Sequence, residues 1–249
     1  MTRTESDIER GCQIAKRLKN ELQIAQSSWA HFEAINGKTE FQRQQFRDGQ
    51  KFLRCGNRGL IAAINRDTIL ALCRILDEGR RRNDCNLSQI SRILADKKVS
   101  CELIKRGGDR LKRAGADRSL VAAEARIIKS KIHLISDYVP NQWNPKSRPK
   151  KWMIHRIRYD ILWPLRQKLL AHAADGSSID NPTANQLRYA IRRIDTLVSA
   201  THHIFVGSPL DHRALQKLED EANKFWDYAQ LGFVEALKGD QGRIKSFNG

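Results

Sequence analysis

The segment LIAAINRDTILALCRILD, from Leu60 to Asp77, constrains this chain most, because it is apolar on nearly all sides of a helix. A helix that is hydrophobic all round is stable in water only when other elements cover it. We therefore expect this segment to lie inside the fold as its central helix, with further helices packed around it.

The first 37 residues predict one long amphipathic helix. Apolar residues recur there at alternating intervals of three and four, apart from one gap at Gly11 and Cys12. A second, short helix is predicted to follow the central one, because Asn86 and Gln89 have the spacing of a capping box.

Apolar periodicity predicts more helices later in the chain. They run over Ser119 to Ile135, over Ile154 to Leu169 and after Asn181-Pro182, and a last helix ends near Leu237. Pro164 lies inside the second of these and should kink the helix or begin a new one. The sequence shows no strand alternation, internal repeat or glycine-rich phosphate loop, so the predicted fold class is all-α, a helical bundle.

The charge balance predicts a polyanionic partner. The chain has 45 basic and 28 acidic residues, a formal net charge of +17 and an isoelectric point near 10.0. Nucleic acid is the first candidate for such a partner, although a solvated surface can be rich in Lys and Arg without binding anything. The charge therefore indicates a class of partner and no reaction.

Three basic segments are candidates to contact phosphates. They are the turn with Arg80, Arg81 and Arg82, the loop VPNQWNPKSRPKKW with Lys150 and Lys151, and the stretch KKVSCELIKRGGDRLKRAGADR. A Gly-Gly pair is expected to break the third segment. Solvated loops without a ligand are the alternative interpretation of these segments.

The stretch RQKLLAH, with Arg166 and His172, is a candidate catalytic pair. A histidine that titrates near neutrality can act as general acid or base in RNA cleavage, and an arginine fork matches phosphate oxygens and the charge of the transition state. The two residues end an amphipathic helix that is followed by Asp175-Gly176, a plausible helix exit. A helix end places a histidine where a substrate can reach it.

The spacing by itself is weak evidence, since Arg126 with His133 and Arg148 with His155 have a similar one. Six residues at about 100° each place two side chains about 120° apart around an ideal helix, which is not a shared face. The alternative is that the histidine caps its helix and the arginine lies along the surface.

Two segments resemble one known family. The run LRQKLLAHAADG resembles the Arg-His motif helix of the HEPN superfamily, the higher eukaryotes and prokaryotes nucleotide-binding domains, and above all its abortive-infection type-U branch. RDTILALCRILDEGRRRNDCNLSQISRIL is similar to the central helix of that branch, which ends in Arg-x-Leu/Phe-Asp before a loop and a short Ser-Leu helix. The matching residues are Arg74, Leu76, Asp77, Leu87 and Ser88.

The resemblance implies a helical bundle that dimerises, with Arg166 and His172 of both chains lining a shared cleft that cuts RNA without a metal or another cofactor. It implies one domain over residues 1–249, with a core at about 41–200, a long N-terminal helix over 1–37 and a C-terminal helix and tail over 201–249. A toxin or abortive-infection effector against phage is the expected role, with an antitoxin or a phage-derived regulator as a possible partner.

Gln167 stands where many members of that family have Asn, Asp or His directly after the arginine. We regard Gln167 and its neighbour Lys168 as further candidate RNA contacts. The main alternative function is a non-catalytic HEPN module that binds nucleic acid or a partner protein, and a DNA-binding regulator is the third.

Other candidate sites are weaker. Trp143, Trp152 and Trp163 lie among basic residues, as bases stacking on aromatic rings require, but packing explains them equally well. His202-His203 is disfavoured as a metal site, because adjacent residues point in different directions on a helix. Five widely spaced cysteines without a zinc pattern, no leader and no membrane span predict a reduced, soluble, cytoplasmic protein without a membrane partner.

Overall fold

The computed structural model of this chain describes residues 2–36, 54–77, 84–139, 152–171, 184–208, 210, 213 and 216–228. Side chains are described for these residues except 35–36, 54–62, 152–153 and 168–171. All regular structure in these ranges is helical, which confirms the predicted all-α class. No helix within them is both long and apolar enough to cross a membrane.

The helices follow one another with short connections where the chain is described. In chain order they are α1 (Arg3–Asn36), α2 (Arg54–Leu76), α3 (Leu87–Leu94), α4 (Lys97–Arg113), α5 (Arg118–Tyr138), α6 (Trp152–Arg156), a π-helical segment (Ile157–Leu162), α7 (Trp163–Ala171), α8 (Ala184–Val206) and α9 (216–228). The long first helix is confirmed. The central segment is confirmed as helical, and its last two turns are buried on almost every side, with only Arg74 exposed there.

The chain forms two compact units, the first made of Met1–Gln23 with Ile69–Leu210 and the second of Ile24–Thr68 with Asp211–Gly249. In the first unit α5 packs against both α4 and α8. In the second unit Trp226 packs among small side chains of α1, and its indole N–H donates to His31 Nδ1 over 3.2 Å. The division into a core at about 41–200 with two extensions stays a prediction.

Polar caps define the ends of three successive helices. The Asn86 side chain accepts a hydrogen bond from the Gln89 amide at 3.0 Å, which confirms the cap predicted for α3. Asp96 caps α4 and Asp117 caps α5 in the same way. Hydrogen bonds from the Ser119 hydroxyl and the Leu120 amide hold the pKa of Asp117 below its usual value. Each cap accepts a hydrogen bond from an amide that has no partner inside its helix.

The Gly-Gly pair of the third basic segment does not break a helix, contrary to the prediction. Gly107 and Gly108 lie inside α4, which is continuous from Lys97 to Arg113, and both are buried. A Cβ atom on Gly107 would lie 2.0 Å from Ile128 Cδ1 of α5. The glycines therefore allow close packing of α4 against α5, and helix propensity is overridden by this tertiary contact.

The gap in the apolar face of α1 has a similar explanation. Gly11 is the place where the ring of Phe205 from α8 lies against α1, and a Cβ atom there would meet the ring at 2.0 to 2.7 Å. The neighbouring Cys12 thiol donates to the Phe205 carbonyl oxygen over 3.1 Å. The gap is therefore a contact site between two helices.

We predict that Gly11→Ala lowers the free energy of unfolding by about 1 to 2 kcal/mol, because overpacking against the buried ring outweighs the gain in helix propensity. Urea unfolding followed by circular dichroism measures the change. Gly108→Ala is the matched control, since its new Cβ atom would lie 3.3 Å from Val121 Cγ1. We expect the control to be unchanged or more stable, and equal losses in the two variants would contradict the packing explanation.

Candidate active site at the end of helix α2

The helix around Pro164 changes its hydrogen-bonding pattern. Residues Ile157–Leu162 are π-helical, and the Trp163 N–H bonds to the Arg158 carbonyl oxygen five residues earlier. Pro164 has no N–H to continue an α-helical ladder, so a new helix, α7, begins beside it as expected. A π turn takes about one residue more than the 3.6 of an α turn, so one turn of each spans about eight residues.

Eight residues separate Arg158 from Arg166, and the π turn therefore brings both side chains to the same side of the helix. With α-helical spacing alone, eight residues already place two side chains about 80° apart, within one stripe of the helix, and the π turn reduces this angle. Both guanidinium groups reach the C-terminal end of α2, where the last carbonyl oxygens of a helix lack partners inside it.

Arg158 caps the last residue of α2. Its side chain is buried, at 5% exposure, and Nη1 donates to the Leu76 carbonyl oxygen over 2.6 Å. A cation at this end also interacts favourably with the helix dipole. Arg158 is a residue that sequence reasoning missed, and its only signal was a basic residue among the apolar positions Ile154, Ile157 and Ile161.

Arg166 forms an ion pair with Asp77, the residue directly after α2. Its Nη1 atom donates to Asp77 Oδ1 over 2.7 Å, and the two side chains are 32% and 35% exposed. The contact joins the segment that ends in Arg74, Leu76 and Asp77 to the segment that contains RQKLLAH. The two segments that carry the family resemblance therefore meet in space.

Trp163 lies between the two arginines. The Cζ atoms of Arg158 and Arg166 lie 5.7 and 5.8 Å from the centroid of its ring, within the range of cation–π contacts, and 37% of the tryptophan is exposed. The indole thus restricts the motion of both guanidinium groups. Of the three candidate tryptophans it is the one whose side chain is described.

The last turn of α2 is fixed by two further contacts. The Cys73 thiol donates to the Leu162 carbonyl oxygen of the π segment over 3.8 Å, and burial raises the pKa of this thiol to about 12, so it stays protonated. Arg74 forms an ion pair of 2.9 Å with Glu21 of α1. Asp77 therefore projects from a helix end that is held on both sides.

The remaining predicted site residues are only partly covered. Gln167 is exposed, next to Arg166, and Lys168 lies in α7, which places its backbone on the same helix. The others lie outside the described residues: His172, Arg80, Arg81, Arg82, Lys150, Lys151 and Trp143. The structure therefore describes Arg166 and its ion-pair partner Asp77. The role of His172 stays a prediction.

The two adjacent histidines of α8 make separate contacts. His202 Nδ1 lies 2.8 Å from the Ser208 carbonyl oxygen. His203 lies between two side chains of α5, with Nε2 2.9 Å from Glu124 Oε1 and Nδ1 in contact with Lys131. Desolvation lowers the pKa of Lys131, and the nearby Glu124 opposes that change. The three side chains form a polar contact between α5 and α8.

A comparison of the chain with protein-family models, with curated proteins and with solved structures found no match. The resemblance to the HEPN superfamily therefore stays a hypothesis. It rests on the residues of the two segments and on the contact that the structure forms between them.

We predict that Asp77→Ala lowers the free energy of unfolding by about 1 kcal/mol, a modest loss because the pair is about one-third exposed. Chemical denaturation measures it. Glu102→Ala is the matched control, since it removes a similarly exposed ion pair, with Arg106, within one helix. The control should lose less than about 0.5 kcal/mol. An equal or larger loss in the control would show that the ion pair of Asp77 with Arg166 stabilises the fold no more than an ordinary surface ion pair does.

Proposed function

We propose that this protein is a metal-independent endoribonuclease of the HEPN type, in which Arg166 binds the scissile phosphate and His172 transfers protons. The observation that carries the proposal is the 2.7 Å ion pair between Arg166 and Asp77. It holds the arginine of the candidate pair at a fixed place, beside a helix end, while leaving part of its side chain exposed. The excess of basic residues supports an RNA substrate.

The geometry of Arg166 is compatible with phosphate binding. A guanidinium has five N–H donors, and the contact with Asp77 uses one on Nη1. The donors on the far side of the fork are suited to two phosphate oxygens at once. Trp163 limits the rotation of the fork, so less entropy is lost when a phosphate binds.

In the proposed reaction the 2′-hydroxyl oxygen attacks phosphorus. The new bond is P–O2′, the bond that breaks is P–O5′, and the products are a 2′,3′-cyclic phosphate and a free 5′-hydroxyl. His172 either accepts the proton of the 2′-hydroxyl or gives a proton to the leaving 5′-oxygen. Arg166 stabilises the charge that builds on the non-bridging oxygens. The route therefore requires one general base and one general acid, in addition to a cation at the phosphate oxygens.

One chain contributes one histidine, whereas attack and departure each involve a proton transfer. A symmetric dimer in which two such sites share a cleft supplies the second histidine. We therefore propose a homodimer as the active form.

A second candidate function is a non-catalytic module that binds nucleic acid or a partner protein. The same ion pair favours it in one respect, because the Asp77 carboxylate already neutralises Arg166 and a buried or half-buried arginine pair is often purely structural. The two functions differ in the expected effect of removing the His172 side chain. Cleavage requires it for proton transfer, whereas a binding module does not.

We predict that purified protein cleaves RNA in the presence of EDTA and leaves 2′,3′-cyclic phosphate ends, and that His172→Ala slows cleavage at least about 100-fold, the usual contribution of a general acid or base. His133→Ala is the matched control, because His133 is exposed on α5 and follows Arg126 at a similar spacing. Gel analysis of a labelled RNA measures the rates.

Equal cleavage by the parent and His172→Ala would contradict the mechanism, and no cleavage by the parent would favour the binding module.

For the cellular role we propose a toxin or abortive-infection effector, restrained by an antitoxin or a phage-derived regulator. Induced expression should then arrest growth, and His172→Ala, but not His133→Ala, should relieve the arrest.

A further inference from the structure

Positive charge is concentrated on α4. This helix has seven basic and two acidic residues among 17, whereas α1 has five of each among 34. The high net charge of the chain is therefore not spread evenly over its helices. The sequence indicated this segment as a candidate to contact phosphates, with a break at its Gly-Gly pair. Because α4 is one continuous helix, its charges have fixed positions relative to one another.

Three lysines form a row along the exposed side of α4, which we call the lysine row: Lys98, Lys105 and Lys112. They are seven residues apart, which is close to two helical turns, so they lie one above another at intervals of about 10 Å. All three are exposed. The opposite side of the helix is buried through Val99, Leu103 and Gly107, which fixes the direction in which the row faces.

The acidic residues of α4 leave most of the row without a counter-charge. Glu102 pairs with Arg106 at 3.0 Å, and Asp109 pairs with Lys112 through a longer, exposed contact of 3.5 Å. Lys98 and Lys105 have no ion-pair partner in the part of the chain that the structure describes. Such ammonium groups are solvated point charges that can exchange their counterions for a phosphate backbone.

We propose that the lysine row binds the phosphate backbone of RNA, as a contact surface separate from the residues at the end of α2. This rests on the proposed function for the identity of the polyanion. The exposed side of α4 that carries the row has no large apolar side chain among its exposed residues, whereas protein interfaces depend on a buried aromatic or aliphatic core. A regular line of cations without such a core fits a repeating anion better than it fits a protein surface.

The test uses the full-length protein and a single-stranded RNA with 2′-O-methyl groups, which cannot be cleaved because it lacks the attacking hydroxyl. Fluorescence anisotropy measures its dissociation constant at several salt concentrations. The variant replaces Lys98, Lys105 and Lys112 by Gln, and the control replaces Arg3, Lys16 and Arg192, exposed residues of α1 and α8, by Gln. Both lose three charges, and circular dichroism checks that both are folded.

We expect the lysine-row variant to bind at least about tenfold more weakly and its slope of log K against log salt to fall by about 2, three contacts at about 0.7 each. The control should keep the slope of the parent. Equal losses in both variants would show that the effect comes from net charge, which would overturn the proposal. Unchanged binding by the lysine-row variant would also overturn it, as would a parent protein that binds polyglutamate as tightly as it binds RNA.

Failure of the catalytic proposal gives a different result. If His172→Ala cleaves as fast as the parent, or the parent does not cleave at all, while the lysine row still sets the salt slope, the surface stands and the nuclease does not. If the parent does not bind RNA in this assay, the lysine row fails on its own.

Discussion

The C-terminal end of α2 is held by two arginines, and the candidate site depends on this contact. A helix end presents carbonyl oxygens without partners, and that of Leu76, which is itself buried, needs a donor from elsewhere. Arg158 supplies it, and eight residues later Arg166 binds the carboxylate of Asp77. Arg158, which is buried and caps the helix, and Arg166, which is partly exposed, therefore both bind the same helix end.

The two arginines differ in what remains available to a ligand. Arg158 is almost fully buried and stacks near Trp163, so its charge serves the fold. Arg166 keeps about one-third of its side chain exposed. In the proposed mechanism the helix end fixes the position of Arg166 and the exposed donors bind phosphate, while the lysines of α4 bind the backbone of the same RNA. Arg158 then stabilises the fold, while Arg166 and the lysines of α4 bind the RNA.

Much of the fold was predictable, and the site only in part. The 3.6-residue period indicated α1, the continuous apolar segment indicated α2, and polar spacing indicated the cap at Asn86, because these signals are local. Gly107 and Gly108 were misinterpreted as a break, since their effect depends on Ile128 and Val121 of another helix.

The ion pair of Arg166 could not be predicted from spacing alone for the same kind of reason. Its partner lies 89 residues away in the chain, and a π turn lies between Arg166 and Arg158. Arg74, Leu76 and Asp77 were singled out only through a resemblance, and no physical rule linked them to RQKLLAH. Long-range pairing of polar groups is decided by the assembled helices.

The most direct test of this account is a double-mutant cycle on RNA cleavage, with kcat/KM measured for the parent, Asp77→Ala, Arg166→Ala and the double variant. If Asp77 acts by positioning Arg166, the double variant should lose no more activity than Arg166→Ala alone, because the carboxylate has nothing left to position. Fully additive losses, or normal cleavage by Arg166→Ala, would contradict the claim that this ion pair organises the site.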